Sequence, residues 1–237
     1  MISPVWAGEV KVAVASNFLG PLKEIAARFE KASGHRAIVI SGSTGKLYAQ
    51  IKNGAPFDLF LAADSRHPAL LEKEGFGVSG SVRAYAIGRL TLWSPDPEKI
   101  NGDAVKILQE QNFQHLAIAN PKSAPYGRAA LQTLVKLGMW DQLQGRIVQG
   151  ENIGQTFQFV ATGNAELGFV ALSQVLDPQN KMQGRRWDVP AEFHDSITQD
   201  LVLLKHGESN SAAVALIRFI QTDSVRKLIE EYGYFVK

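Results

Sequence analysis

The sequence predicts an α/β protein made of two halves of similar size. Three observations predict it. From Val10 to Ala62 strand-like and helix-like patterns alternate as β-α-β-α-β, as in a doubly wound sheet. A second alternation of the same kind begins after Trp93. Of the 237 residues, 45% are hydrophobic and 20% charged, ordinary globular values that suffice for one large domain or two small ones.

Each element follows from its own pattern. Val10, Val12 and Val14 form a β-branched run that reads as the first strand. Leu22, Ile25, Ala26 and Phe29 stand at i, i+3, i+4 and i+7, an amphipathic helix closed by Gly34. Ala37 to Ile40 is continuously apolar, as expected of a strand buried on both faces. Leu47, Tyr48 and Ile51 make the next helical stripe, stopped at Asn53-Gly54, and Leu59 to Ala62 is strand again. Ser81 to Trp93 reads as one long extended segment, broken by Gly88. In the second half, Leu116 to Ala119 is a strand. Ala130, Leu131, Leu134 and Val135 mark a helix that ends at Gly138. Ile147-Val148 is a short strand, Phe157, Val160 and Ala161 lie on a helix ended by Gly163, and Leu167 to Ala171 is a strand. The polar stretch Leu176 to Asp195 reads mainly as loop. Leu201 to Leu204 is the last strand. Helices follow with Ala213, Leu216, Ile217 and Ile220, then with Val225, Leu228 and Ile229.

Composition narrows the chemistry. Lys plus Arg is 25 and Asp plus Glu is 23, a net charge of +2 that is too balanced to imply nucleic acid or a polybasic membrane contact. With no cysteine, thiol nucleophiles, Cys-zinc sites, iron–sulfur clusters and disulfides are excluded. No apolar run approaches the roughly 18–20 residues of a membrane span, so no direct membrane insertion is expected. Met1 to Gly8 has no basic start and no long apolar run, so no complete signal peptide is expected in this chain. Ala7-Gly8 fits either the scar of a removed signal or an ordinary start.

In open α/β sheets ligands bind beyond the carboxyl ends of the strands, at helix N-termini. Four such junctions stand out. They are Ala15-Ser16-Asn17, Ser41-Gly42-Ser43-Thr44-Gly45, Pro121 to Gly127, and Glu151-Asn152-Ile153-Gly154. All are rich in small neutral hydrogen-bond donors and flexible backbone. A helix N-terminus adds unpaired N–H groups and about half a positive charge, so several converging on one point would hold an anion without a cationic side chain. The plain alternative is helix capping, which favours Ser, Thr and Asn anywhere. Other constellations are weaker. The stretch ending at Lys46 lacks the spacing of a phosphate-binding loop. The five histidines show no i, i+4 pair, so a metal centre is not expected. Asp58 and Asp64 flank the strand at Phe60 as a conceivable acid–base pair, although Asp64 fits better as a cap for the next helix.

At these junctions the chain resembles the molybdate-binding proteins of bacterial ABC transporters, a type II solute-binding family. The residues that carry the resemblance are Ala15-Ser16-Asn17-Phe18, Gly42-Ser43-Thr44-Gly45, and Asn53-Gly54-Ala55-Pro56-Phe57-Asp58-Leu59-Phe60. Further along are Ala62-Ala63-Asp64, Pro125-Tyr126-Gly127, Leu137-Gly138, Gly168-Phe169-Val170 and Tyr232-Gly233-Tyr234. They run in the same order over essentially the whole chain.

The resemblance implies a periplasmic, two-lobed protein. Each lobe would be a mostly parallel sheet flanked by helices, with the ligand in the cleft between them. The first lobe would be 1–87 plus 200–237 and the second 88–199. The ligand would be molybdate or the nearly indistinguishable tungstate, delivered to a membrane-embedded ABC permease by a monomer that needs no cofactor. Sulfate, being smaller, would leave some donors out of reach. Carried over by position, Ser16 gives a hydroxyl, Thr44 a hydroxyl and its N–H, and Tyr126 and Ile153 backbone N–H groups. Asn17 matches one branch of the family, and Ser43 and Ser173 are further candidates. One position departs: where many members carry a tyrosine hydroxyl, this chain has Ala171. Either Asn17 supplies the missing donor or the anion preference differs. Rival readings are a binder of another oxyanion such as sulfate or phosphate, a phosphoryl or acyl transferase at Gly42–Lys46, and a regulatory ligand-sensing domain. The transferase would need a nucleophile–base pair, and the sensor a DNA-binding segment, neither of which is visible.

Overall fold

A computed structural model of the chain describes residues 7–236, so the expectation for the N-terminus lies outside the described residues except at Ala7 and Gly8. The chain divides into two compact units. The first holds Met1–Ala86, Thr198–Glu231 and Phe235–Lys237, and the second Ile87–Ile197 and Tyr232–Tyr234.

The first unit opens with β1 (Glu9–Ala15), a 3-10 turn (Ser16–Phe18) and α1 (Leu19–Ser33). Gly34 closes α1 at φ 74°, a left-handed conformation that glycine adopts without steric cost. Then come β2 (Arg36–Gly42), α2 (Thr44–Lys52), β3 (Leu59–Leu61), α3 (Arg66–Lys73) and β4 (Arg83–Gly88). The second unit contains β5 (Leu90–Ser94), α4 (Ala104–Glu110), β6 (Leu116–Ala119) and α5 (Pro125–Lys136). It continues with α6 (Trp140–Leu143), β7 (Ile147–Gly150), α7 (Ile153–Ala161), β8 (Leu167–Ala171), α8 (Leu172–Val175) and β9 (Arg185–Asp188). The chain then returns to the first unit as β10 (Ile197–Leu203), α9 (Ser211–Ile220) and α10 (Asp223–Glu231).

Each unit is built on a mixed five-stranded sheet, ordered β2-β1-β3-β10-β4 in the first and β7-β6-β8-β5-β9 in the second. In the first, β1 runs parallel to β2 and β3, and β10 is antiparallel to β3. In the second, β6 runs parallel to β7 and β8, and β5 is antiparallel to β8 and β9. Val12, Phe60, Leu61 and Val202 are wholly buried on the central strands of the first sheet. In the second, Trp93 stacks on Phe157 with ring centroids 5.0 Å apart. Fully burying side chains of this size contributes about 1.5–3 kcal/mol each.

Three expectations change. The apolar run in β2 is only partly buried, because β2 is an edge strand and one side of it has no neighbour. The segment Ser81 to Trp93 is two strands, β4 and β5, which belong to different sheets. The polar stretch after Leu176 contains β9, which pairs with β5 through Asp188, Trp187, Arg186 and Arg185. As an edge strand it accommodates charged side chains that a central strand would exclude.

Candidate functional site

In the first unit, β1 and β2 are in register with Ala15 opposite Gly42. The residues after them therefore leave the sheet side by side at its carboxyl edge. Ser16 is half-buried at the start of the 3-10 turn. Asn17 is 2% exposed and no side chain caps α1, so the capping role that its position allowed is not the one it plays. Its Nδ2 donates instead to Gln199 Oε1 at 2.9 Å. Ser43 takes the N-cap position of α2, and its Oγ is buried with no hydrogen-bond partner among the described residues. Thr44 is wholly buried, and its Oγ1 accepts the Ala63 N–H at 3.0 Å. That bond uses a lone pair and leaves the hydroxyl proton to donate elsewhere.

The second unit repeats the arrangement with backbone donors. β6 and β7 are in register with Ala119 opposite Gly150. After β6, Asn120 organises the loop: its Oδ1 accepts the Lys122 N–H, and its carbonyl accepts those of Ser123 and Ala124. Pro125 starts α5, so Tyr126, buried at the second position, points its N–H out of the helix end. A Cβ at Gly127 would lie 2.2 Å from the Ala119 carbonyl oxygen, which is why α5 can seat directly on the end of β6. After β7, Asn152 caps α7 by accepting the Gln155 N–H, and Ile153 occupies the first helical position. Gln174 accepts from the Ala171 N–H and donates to the Ile153 carbonyl, tying the end of β8 to the start of α7. Ser173 is buried and accepts from the Tyr234 hydroxyl at 2.9 Å.

The residues the sequence puts forward for a site thus fall into two groups, Ser16, Asn17, Ser43 and Thr44 in the first unit and Tyr126, Ile153 and Ser173 in the second. The lysines nearest in sequence, Lys46 and Lys122, are exposed. Sequence reasoning missed Gln199, Tyr85 and Gln174, which hold these residues from elsewhere in the chain.

The acidic residues have separate duties. Asp58 precedes β3, where it accepts the Lys11 N–H at 2.7 Å and faces His206 Nδ1 at 3.0 Å. Asp64 follows β3, at the other end of that strand, and accepts from the His67 N–H near the start of α3. They do not form a pair. Burial pushes the Asp200 carboxyl up, with the Asp64 charge adding to the effect and a Ser65 hydrogen bond opposing it. Among the described residues no group of three or more His, Asp or Glu is placed to hold a metal ion, and no helix is long and apolar enough to cross a membrane. Among the described residues no base bonds the Ser43 hydroxyl, and the Thr44 hydroxyl accepts from main chain, so neither has the activating partner a nucleophile needs.

Two α/β units with uncharged donors at their strand ends define a protein that binds a small solute. Comparison with known proteins agrees: the family of bacterial extracellular solute-binding proteins matches residues 10–235. The chain belongs to that family. It is 50% identical over 228 residues to the molybdate-binding protein ModA of Azotobacter vinelandii, covering 96% of this chain and 90% of that one. It is 45% identical over 231 residues to ModA of Rhodobacter capsulatus, covering 98% and 90%. A solved structure of a periplasmic molybdate-binding protein of Azotobacter vinelandii superposes with a TM-score of 0.92 at 39% identity, covering 96% of this chain and 99% of that one.

Proposed function

We propose that this chain is the periplasmic component of a bacterial molybdate importer, binding molybdate, and tungstate with it, as a monomer without a cofactor. It hands the anion to a membrane-embedded ABC permease. Ser16, Asn17 and Thr44 of the first unit and Tyr126 and Ile153 of the second supply the donors, with Ser43 and Ser173 as additional ones. The observation that carries the reading is the buried, uncharged donor set at Ser43 and Thr44: among the described residues, one hydroxyl has no protein partner and the next one accepts from main chain with its proton unused. A buried hydroxyl without a partner is unfavourable by about 1–3 kcal/mol, and an oxyanion would satisfy it. The identity of the anion rests on the relatives, which are named as molybdate-binding proteins.

Isothermal titration with molybdate, tungstate, sulfate and phosphate tests this. Molybdate and tungstate are expected to bind one per chain with similar affinity, and sulfate and phosphate far more weakly. A preference for sulfate or phosphate would establish the rival oxyanion reading instead.

A further inference from the structure

We infer that Gln199 is a positioning residue for the anion, aligning the Asn17 amide from a buried site beside Tyr85. The inference rests on the proposed role of Asn17 and Thr44 as oxyanion donors. Gln199 is wholly buried on β10. Its Oε1 accepts from Asn17 Nδ2 at 2.9 Å and from the Tyr85 hydroxyl at 2.9 Å. The same Tyr85 hydroxyl lies 2.9 Å from the Ala62 carbonyl oxygen. That carbonyl and the Ala63 N–H belong to one peptide group, and the Ala63 N–H donates to Thr44 Oγ1. The Tyr85 hydroxyl has one proton, and Gln199 Oε1 and the Ala62 carbonyl oxygen are both acceptors, so it braces the Gln199 amide and the Ala62 peptide without joining them into one chain of bonds. The buried network comprises Asn17, Gln199, Tyr85, Ala62, Ala63 and Thr44. Its side chains are all 5% exposed or less. Tyr85 is further fixed by edge contact with Phe18, with ring centroids 4.8 Å apart.

The two ends of an asparagine amide have nearly the same shape and opposite polarity. Facing an oxyanion, the NH2 end attracts and the carbonyl end repels. An acceptor on Gln199 holds the NH2 end toward itself and so fixes which way the Asn17 amide is turned. Rotating the Gln199 amide would set its own NH2 against the Asn17 donor, which opposes that rotation. Donors arranged before the ligand arrives bind it without a reorganisation cost.

Tyr85 and Gln199 stand beside the two places where the chain changes unit. The chain leaves the first unit after Ala86, next to Tyr85, and returns at Thr198, next to Gln199.

A double-mutant cycle tests the inference. Molybdate affinity is measured by calorimetry for the parent, Gln199→Met, Asn17→Ala and the double variant, with melting temperatures on the same samples. Gln199→Met is expected to weaken binding about three- to tenfold in the parent, the range of one hydrogen bond. In the Asn17→Ala background it is expected to change affinity less than about twofold, because the group it aligns is gone. Equal losses in the two backgrounds would overturn the inference and leave Gln199 a purely structural residue, since a general loss of stability does not depend on Asn17. Should Gln199→Met fail to fold, Tyr85→Phe, which removes one oxygen and keeps the ring, replaces it in the cycle with the same two outcomes. Failure of the parent to bind molybdate would be seen before any variant, and would overturn the proposed function and this inference together.

Discussion

Replacing Thr44 by valine separates structure from binding at one atom. Valine keeps the shape of threonine and removes the hydroxyl. In the folded protein that hydroxyl is wholly buried and accepts the Ala63 N–H at 3.0 Å. Its loss strands a buried N–H, which is unfavourable by about 1–3 kcal/mol. For a chain of this length each kcal/mol lowers the melting temperature by about 2–4 °C, so a fall of about 2–12 °C is expected. The second consequence is at the ligand. A hydrogen bond to a charged group contributes about 1.5–3 kcal/mol, so molybdate affinity is expected to drop about 10- to 150-fold. Thr44→Ser keeps both hydrogen bonds and is expected to stay near the parent in both measurements. The assay is thermal unfolding without ligand and calorimetric titration with molybdate on the same preparations. A lowered melting temperature with affinity within about twofold of the parent would refute the donor role and leave only the bond to Ala63.

Two further predictions concern charge. Lys46 and Lys122 are exposed, so Lys46→Ala and Lys122→Ala are each expected to change molybdate affinity by less than about fivefold; a loss beyond about 30-fold by calorimetry would show that the anion has a cationic partner. The Asp200 carboxyl is raised in the folded state, first by burial. The folded protein therefore binds this proton more tightly than the unfolded chain, and the stability it contributes is present at low pH and lost as pH rises through the folded value. Asp200→Asn is expected to melt higher than the parent at pH 7, with the gap closing toward pH 4, and a gap independent of pH would refute that account.

The alternation of strands and helices was legible in the sequence because side-chain periodicity is local: the valines of β1 and the i, i+3, i+4 pattern of α1 need no knowledge of the rest of the chain. The junctions were legible for the same reason. Ser16, Asn17, Ser43 and Thr44 follow strands and precede helices, where unpaired N–H groups and small polar residues collect. Neighbourhood was not legible. The apolar run of β2 gives no sign that it lies at a sheet edge, and Arg185–Asp188 becomes a strand only because β5 offers it a partner. One extended stretch on either side of Gly88 serves two different sheets. The site shows the same division. Asn17 as a junction residue could be read from the chain, but its partner Gln199 stands 182 positions away, and Tyr85 reaches the same oxygen from a third segment. A hydrogen bond requires donor and acceptor within about 3 Å, and for residues so far apart in the chain only the packing of the sheet brings them there. Local chemistry thus marked the junctions that hold the candidate donors, and tertiary structure decided what packs against them.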